Sequence, residues 1–323
     1  MDNRDETAPS ILDLYDAVRA AWTRALGRES RPTDSFYRDG GIRAQALAFC
    51  REIALYSREP FTVGDFDQRP TQADTVYRLT TSPWPEVTQL TAGTGTPLFL
   101  VAGSGGVGLH FAPLARALEQ EKPVVAFESR GLRRPARIEW FARAQARRIV
   151  QRLREIQPVG PYAIGGHSLG GLIALHVVDI LKRQGQGVDH FLCLDAWLPE
   201  RLTKATIPSG IAPPTRTVVL GLRSRIALIA TSLYARPNKH SHVRRYCIGT
   251  LRRRSLRWLP NVSAPTLVVC SAQYPDFMRA SWPQYLKGPA AYVTVDDGHV
   301  GILRRSETFV AVRAALGLDS PIA

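Results

Sequence analysis

The chain has 323 residues, 45% of them hydrophobic and 22% charged, which suits a globular protein with room for one large domain and a small companion. No apolar run is long enough to span a bilayer, which argues against membrane insertion, and the N-terminal MDNRDETAPS lacks an apolar signal core, so a cytoplasmic protein is expected. The net charge is +14, and the excess is local: residues 1–80 carry 13 acidic and 11 basic side chains, whereas residues 201–260 carry 13 basic ones and no Asp or Glu.

Four cysteines, Cys50, Cys193, Cys247 and Cys270, lack metal-ligand spacing and read as free thiols in a reducing compartment, with no metal site expected. Residues 9–27 predict an amphipathic helix with Ser10 as N-cap and Ile11, Leu14, Val18, Trp22 and Leu26 near one face. A polar loop over 28–41 ends in Asp39-Gly40-Gly41. A second helix is predicted from about Ile42 to Tyr56, then a connector over Phe61–Phe66, then a last helix opened by Pro70-Thr71.

These first 79 residues resemble an acyl or peptidyl carrier domain through Asp34-Ser35-Phe36-Tyr37-Arg38-Asp39-Gly40-Gly41 and Phe66-Asp67-Gln68-Arg69-Pro70-Thr71. Carrier domains place the serine that bears phosphopantetheine two residues after the second glycine. Arg43 stands at that position, so the resemblance implies a carrier domain that is not phosphopantetheinylated.

Residues 80–96 are rich in Pro, Gly and Thr and read as a linker. From Pro97 onward, short continuous apolar runs alternate with helix patterns: strands at 98–101, 123–127, 162–164, 190–194, 266–270 and 291–295, and helices near 111–118, 138–156 and after 168. That alternation predicts an α/β fold with a mostly parallel sheet covered on both faces.

The third predicted strand runs into Gly166-His167-Ser168-Leu169-Gly170 and then a helix. A G-x-S-x-G sequence in that setting puts Ser168 on a sharp strand-to-helix turn, with its hydroxyl exposed and the helix's positive end facing a developing oxyanion. His299, after the last strand, is the expected base. His167 flanks the serine, and its side chain is expected to point away from the hydroxyl. For the acid, Asp195 and Asp276 each follow a strand; hydrolase topology alone favours Asp276, and Asp297 is too close in sequence to His299.

Residues 97–323 resemble the α/β-hydrolase thioesterase domains of polyketide and nonribosomal peptide synthetases, through PLFLVAGSGG at 97–106, EIQPVGPYAIGGHSLGG at 155–171 and FLCLD at 191–195. The resemblance implies Asp195 as the acid and the backbone N–H groups of Ser104 and Leu169 as the oxyanion hole. The chain departs at Ala102-Gly103, where many relatives have His-Pro, a change that spares backbone donors. It also implies a helical lid over about 198–259.

On this reading the lid arginines, with Arg252, Arg253 and Arg254 as candidates, face outward and dock an acidic carrier protein and its phosphopantetheine. Nucleic-acid binding is disfavoured, because no aromatic-interleaved motif or helix-turn-helix accompanies the basic run. The expected activity is a Ser-His-Asp thioesterase or acyltransferase without a cofactor of its own. With position 43 an arginine and no synthetase module ahead of it, its substrate is expected in trans on a partner carrier. The competing expectation is a non-catalytic docking or scaffold subunit.

Overall fold

The computed structural model describes residues 9–57, 59–80, 85–93, 95–104, 106–130, 138–199, 202–203, 226–227, 229–231 and 241–318, with backbone alone for 241–246. The chain divides into two units, Met1–Pro85 and Glu86–Ala323.

The first unit is a helical bundle. Helix α1 spans Ile11–Leu26, and its N-terminus is closed by a reciprocal capping box between Ser10 and Asp13. Helix α2 spans Arg43–Ile53 and continues into a 3₁₀ turn over Ala54–Tyr56. The expected connector at 61–66 is instead mostly helical: α3 forms over Val63–Gln68 because Thr62 and Asp65 make a second capping box. The short polar sequence VGDFDQ has too few apolar positions to reveal this by periodicity. Helix α4 spans Gln72–Leu79, capped by Thr71.

The bundle closes on aromatic rings. Trp22 is fully buried and meets Phe36, Phe49 and Phe66 edge-on at centroid distances of 5.0, 5.6 and 6.0 Å. The Gly-Gly turn is required by close approach, since a Cβ on Gly41 would fall 2.3 Å from the Phe36 ring.

The second unit is built on a seven-stranded sheet in the order β1-β3-β2-β4-β5-β6-β7. The strands are β1 Val87–Thr91, β2 Leu98–Val101, β3 Val124–Phe127, β4 Tyr162–His167, β5 Val188–Leu194, β6 Thr266–Ser271 and β7 Ala290–Val295. All neighbouring pairs are parallel except β1 with β3.

Every residue of β2, β3, β4 and β6 is buried, as continuous apolar strands between two helical layers must be. The helices are α5 Ala112–Ala117, α6 Ala142–Ile156, α7 Leu169–Arg183, α8 Ser241–Ser255, α9 Pro275–Ser281 and α10 Ser306–Ala315.

Strand β1 corrects the linker expected over 80–96. Val87–Thr91 pairs antiparallel with β3, and Thr91 bridges an irregularity in the ladder: its Oγ1 accepts from Val124 N–H at 2.8 Å and donates to the Lys122 carbonyl at 2.9 Å. An edge strand is half polar and only five residues long, so VTQLT between Pro- and Gly-containing flanks carries no apolar run to distinguish it from a linker.

The four cysteines are buried and free. No helix among the described residues is long and apolar enough to cross a membrane.

Candidate active site

The carboxyl ends of β4 and β5 lie side by side, with His167 in register with Leu194. Past those ends the chain makes two forced turns. Ser168 has φ 56° and Asp195 φ 45°, the only positive values at non-glycine residues among those described. Such backbone costs about 1–3 kcal/mol per residue, and it persists only where the surroundings over-determine it. Here they do: Ser168 N–H donates to the Leu194 carbonyl at 3.0 Å, and Asp195 N–H donates to the Val269 carbonyl at 2.8 Å.

The glycines flanking Ser168 are obligatory on steric grounds. A Cβ on Gly166 would fall 2.5 Å from the Gly170 carbonyl carbon, one on Gly170 2.0 Å from the Val101 carbonyl oxygen, and one on Gly171 2.6 Å from Ala196 Cβ. Helix α7 starts directly after Ser168, so its first N–H groups have no partner within the helix.

The carboxylate of Asp195 is fully buried and holds His299. Its Oδ2 lies 2.6 Å from His299 Nδ1, and its Oδ1 accepts from Ser271 N–H at 2.9 Å. Burial alone would push this carboxyl upward, but the hydrogen bonds from His299 and Ser271 outweigh it and hold the pKa below the ordinary value. Because a carboxylate only accepts, Nδ1 carries the proton and Nε2 of His299 is left as an acceptor.

The two other carboxylates weighed from sequence are elsewhere. Asp276 is exposed in the first turn of α9. Asp297 accepts from Gly298 N–H at 2.6 Å and pairs with Arg305 at 2.6 Å.

His167 takes part in a way the sequence did not suggest. Its Nε2 donates to the His299 backbone carbonyl at 2.7 Å, and the two rings lie 4.6 Å apart. Burial, reinforced by the neighbouring His299, lowers its pKa to about 3, so it remains a neutral donor that ties the loop of His299 to the residue preceding Ser168. Trp197 packs its ring 4.2 Å from that of His299.

These contacts gather a serine on a strained turn, a histidine held through Nδ1 and a buried carboxylate at one end of the sheet. The thioesterase domain family model matches residues 96–219. Over those residues the chain is similar to a thioesterase domain.

Vanchrobactin synthetase VabF of Vibrio anguillarum is 30% identical over 177 residues, covering 52% of this chain and 6% of the synthetase. Nonribosomal peptide synthetase btyA of Aspergillus terreus is 36% identical over 102 residues, covering 32% of this chain and 11% of that protein. The chain therefore spans a small part of the curated relatives it matches.

Among solved structures, the NocB thioesterase domain in covalent complex with a fluorophosphonate nocardicin G analogue aligns with TM-score 0.55 and 22% identity, covering 72% of this chain and 99% of that one. The four-domain nonribosomal peptide synthetase AB3403 aligns with TM-score 0.58 and 18% identity over 100% of this chain and 27% of its own. At these identities the likeness concerns the fold, here the α/β-hydrolase fold.

The loop after β2 passes beside Ser168. Gly106 N–H closes a turn onto the Gly103 carbonyl at 2.9 Å, with Ser104 inside it. A Cβ on Gly103 would fall 3.0 Å from the His167 carbonyl oxygen and 3.4 Å from Ser168 Cβ, so a side chain there would press on the serine turn. Sequence reading noted Gly103 only as a departure from His-Pro; its lack of a side chain is what allows the approach. Gly249 of α8 covers the same loop, since a Cβ on it would lie 3.1 Å from Ser104 Cβ.

The expectation of outward-facing lid arginines needs correction. Arg252 is 2% exposed: Nε donates to the Glu139 carbonyl at 2.7 Å, Nη1 to Ser129 Oγ at 2.7 Å and Nη2 to the Arg130 carbonyl at 3.1 Å. Burial lowers its pKa to about 10, which leaves it charged at neutral pH. Arg253 is half-buried and donates to the Trp197 carbonyl at 3.0 Å, and Arg254 is also half-buried. The guanidinium of Arg252 satisfies two carbonyls and a hydroxyl at once, so Arg252 and Arg253 fasten the end of α8 to the residues around it instead of presenting charge.

Most of the lid expected over 198–259 lies outside the described residues. Ile226 and Ile229 are described and exposed. No group of three or more His, Cys, Asp or Glu among the described residues could hold a metal ion.

In the first unit, Arg43 is the first residue of α2, and its side chain is half exposed. It forms an ion pair with Asp67, which also accepts from the Tyr37 hydroxyl.

Proposed function

We propose that this chain is a serine thioesterase or acyltransferase that releases acyl or peptidyl groups from the phosphopantetheine thioester of a carrier protein. The observation that carries the reading is the Asp195–His299 hydrogen bond at 2.6 Å, which orients an imidazole with a free Nε2 beside the strained Ser168 turn. His299 Nε2 takes the Ser168 proton as Oγ attacks the thioester carbonyl. The tetrahedral oxyanion sits against the backbone N–H groups of Ser104 and Leu169, each worth about 2.7–4 kcal/mol by analogy with other oxyanion holes. The C–S bond breaks, and the His299 proton leaves on the phosphopantetheine thiol. Water, or a hydroxyl or amine, then gives up its proton to His299 and attacks the acyl-serine; the bond from the acyl carbon to Ser168 Oγ breaks, His299 returns the proton to Oγ, and the product leaves as an acid, ester, lactone, amide or lactam.

Arg43 offers no hydroxyl for a phosphodiester at the position where a carrier domain has its serine, so on this reading another carrier domain brings the substrate in trans. The test is incubation of the full chain with a synthetic acyl-carrier thioester, following released acyl groups and intact protein mass. An acyl adduct on Ser168 that turns over supports the proposal. Wild-type release by Ser168→Ala would refute it, and binding of the acyl-carrier with no adduct and no release would identify a docking subunit.

A further inference from the structure

Trp197 lies two residues after Asp195 and packs on the ring of His299, with centroids 4.2 Å apart and planes at 39°. Its own placement is fixed from two sides. The Tyr274 ring meets the indole edge-on at 5.0 Å, and Arg253 of α8 donates to the Trp197 backbone carbonyl. Its Nε1–H is buried and finds no acceptor among the described residues. Filling space does not explain that arrangement, because a phenyl or isobutyl side chain would occupy the site without burying an unpaired donor.

What the indole offers that those groups do not is its face. Among side chains, the indole ring attracts a cation most strongly. The group against it is the imidazole that, in the mechanism above, gains a proton each time Ser168 attacks. The other ring against His299, that of His167, is held neutral by burial and so adds no opposing charge.

We propose that Trp197 is a positioning residue for His299, holding the imidazole in line with Asp195 and stabilising the imidazolium through the indole face. The proposal rests on the triad reading above. It assigns Trp197 to the step in which charge develops, so removing the ring should lower kcat and leave KM for a small substrate nearly unchanged.

The experiment uses the full chain with a small soluble acyl thioester, in wild type, Trp197→Phe, Trp197→Leu, His299→Ala and the His299→Ala/Trp197→Leu double variant, with thermal melts to check folding. Trp197→Leu should lose about 3- to 30-fold in kcat, the range spanned by cation–π interactions from partly exposed to desolvated. Trp197→Phe should fall between wild type and Trp197→Leu. In the His299→Ala background, Trp197→Leu should cause no further loss, because the two residues act as one unit.

An equal further loss in that background, a change in KM alone, or Trp197→Phe as poor as Trp197→Leu would overturn the assignment. If Trp197→Leu does not fold, Trp197→Phe completes the same cycle. Wild-type turnover by His299→Ala would instead overturn the triad reading itself.

Discussion

Two helix starts in this chain have opposite chemistry. At the start of α7, Ser168 is forced to φ 56° in a turn stripped of side chains by Gly166, Gly170 and Gly171. At the start of α2, the preceding residue Ile42 is in ordinary extended backbone, and Arg43 reaches across to Asp67. The first arrangement accepts backbone strain around a hydroxyl residue; the second satisfies its charge locally and has no hydroxyl at that position. A helix N-terminus favours negative charge in both cases, so it is the residue type and the backbone it stands on that separate the two starts.

The contrast breaks first at the nucleophile. Ser168→Ala and His299→Ala should each reduce acyl-enzyme turnover by about 10⁶-fold, as when either member of such a unit is lost. Near-wild-type rates in either variant, with purity controlled, would mean that the strained turn is architecture alone.

Next in size is the acid. Asp195→Asn should cost about 10⁴-fold in kcat by presenting His299 in the wrong tautomer, whereas Asp276→Asn, at an exposed position in α9, should leave kcat within about twofold. Equal effects of the two would remove Asp195 from the site.

Arg252 tests whether α8 is anchored or displayed. Arg252→Met should destabilise the second unit by about 2–5 kcal/mol, because three acceptors, Ser129 Oγ among them buried, lose a charged donor. Chemical denaturation would read this, and an unchanged midpoint would return the residue to the surface role read from sequence.

Acid stability gives a smaller signal. Burial depresses His176 from its ordinary 6.5 to about 4, so below pH 6.5 the unfolded chain binds a proton that the folded chain resists. The stability this neutral imidazole contributes is therefore complete above pH 6.5 and falls as pH drops toward 4. His176→Phe should flatten that slope by up to about 1.4 kcal/mol per pH unit, and an unchanged slope between pH 6.5 and 4 would show that the imidazole is protonated in the fold.

The smallest expected effect is none at all. A promiscuous phosphopantetheinyl transferase with coenzyme A should leave the intact mass of the wild-type chain unchanged. A gain of one phosphopantetheine would identify another serine as the carrier site and end the contrast between the two helix starts.

Sequence by itself determined the buried parallel strands, the Ser168 turn and the candidacy of His299. Each is a local property: a continuous apolar run, small residues around a serine, a histidine after the last strand. It also located Ser10 as a helix cap, because caps are read over three or four residues, and put the start of the last helix at Pro70-Thr71, where Thr71 is the cap and Gln72 the first helical residue.

Tertiary structure alone decided the rest. Asp195 and Asp276 are equivalent in chain order, and only the adjacency of β4, β5 and β6 puts one carboxylate on His299 and leaves the other in solvent. The same holds for Arg252, whose neighbours in sequence are arginines but whose partners, Ser129, Arg130 and Glu139, are more than a hundred residues away. Strand β1 became visible only through its pairing with β3, and Trp197 only through its ring on His299. Composition and periodicity record what a residue prefers on average. Which donor meets which acceptor is set by contacts between segments far apart in the chain, and only folding brings those segments together.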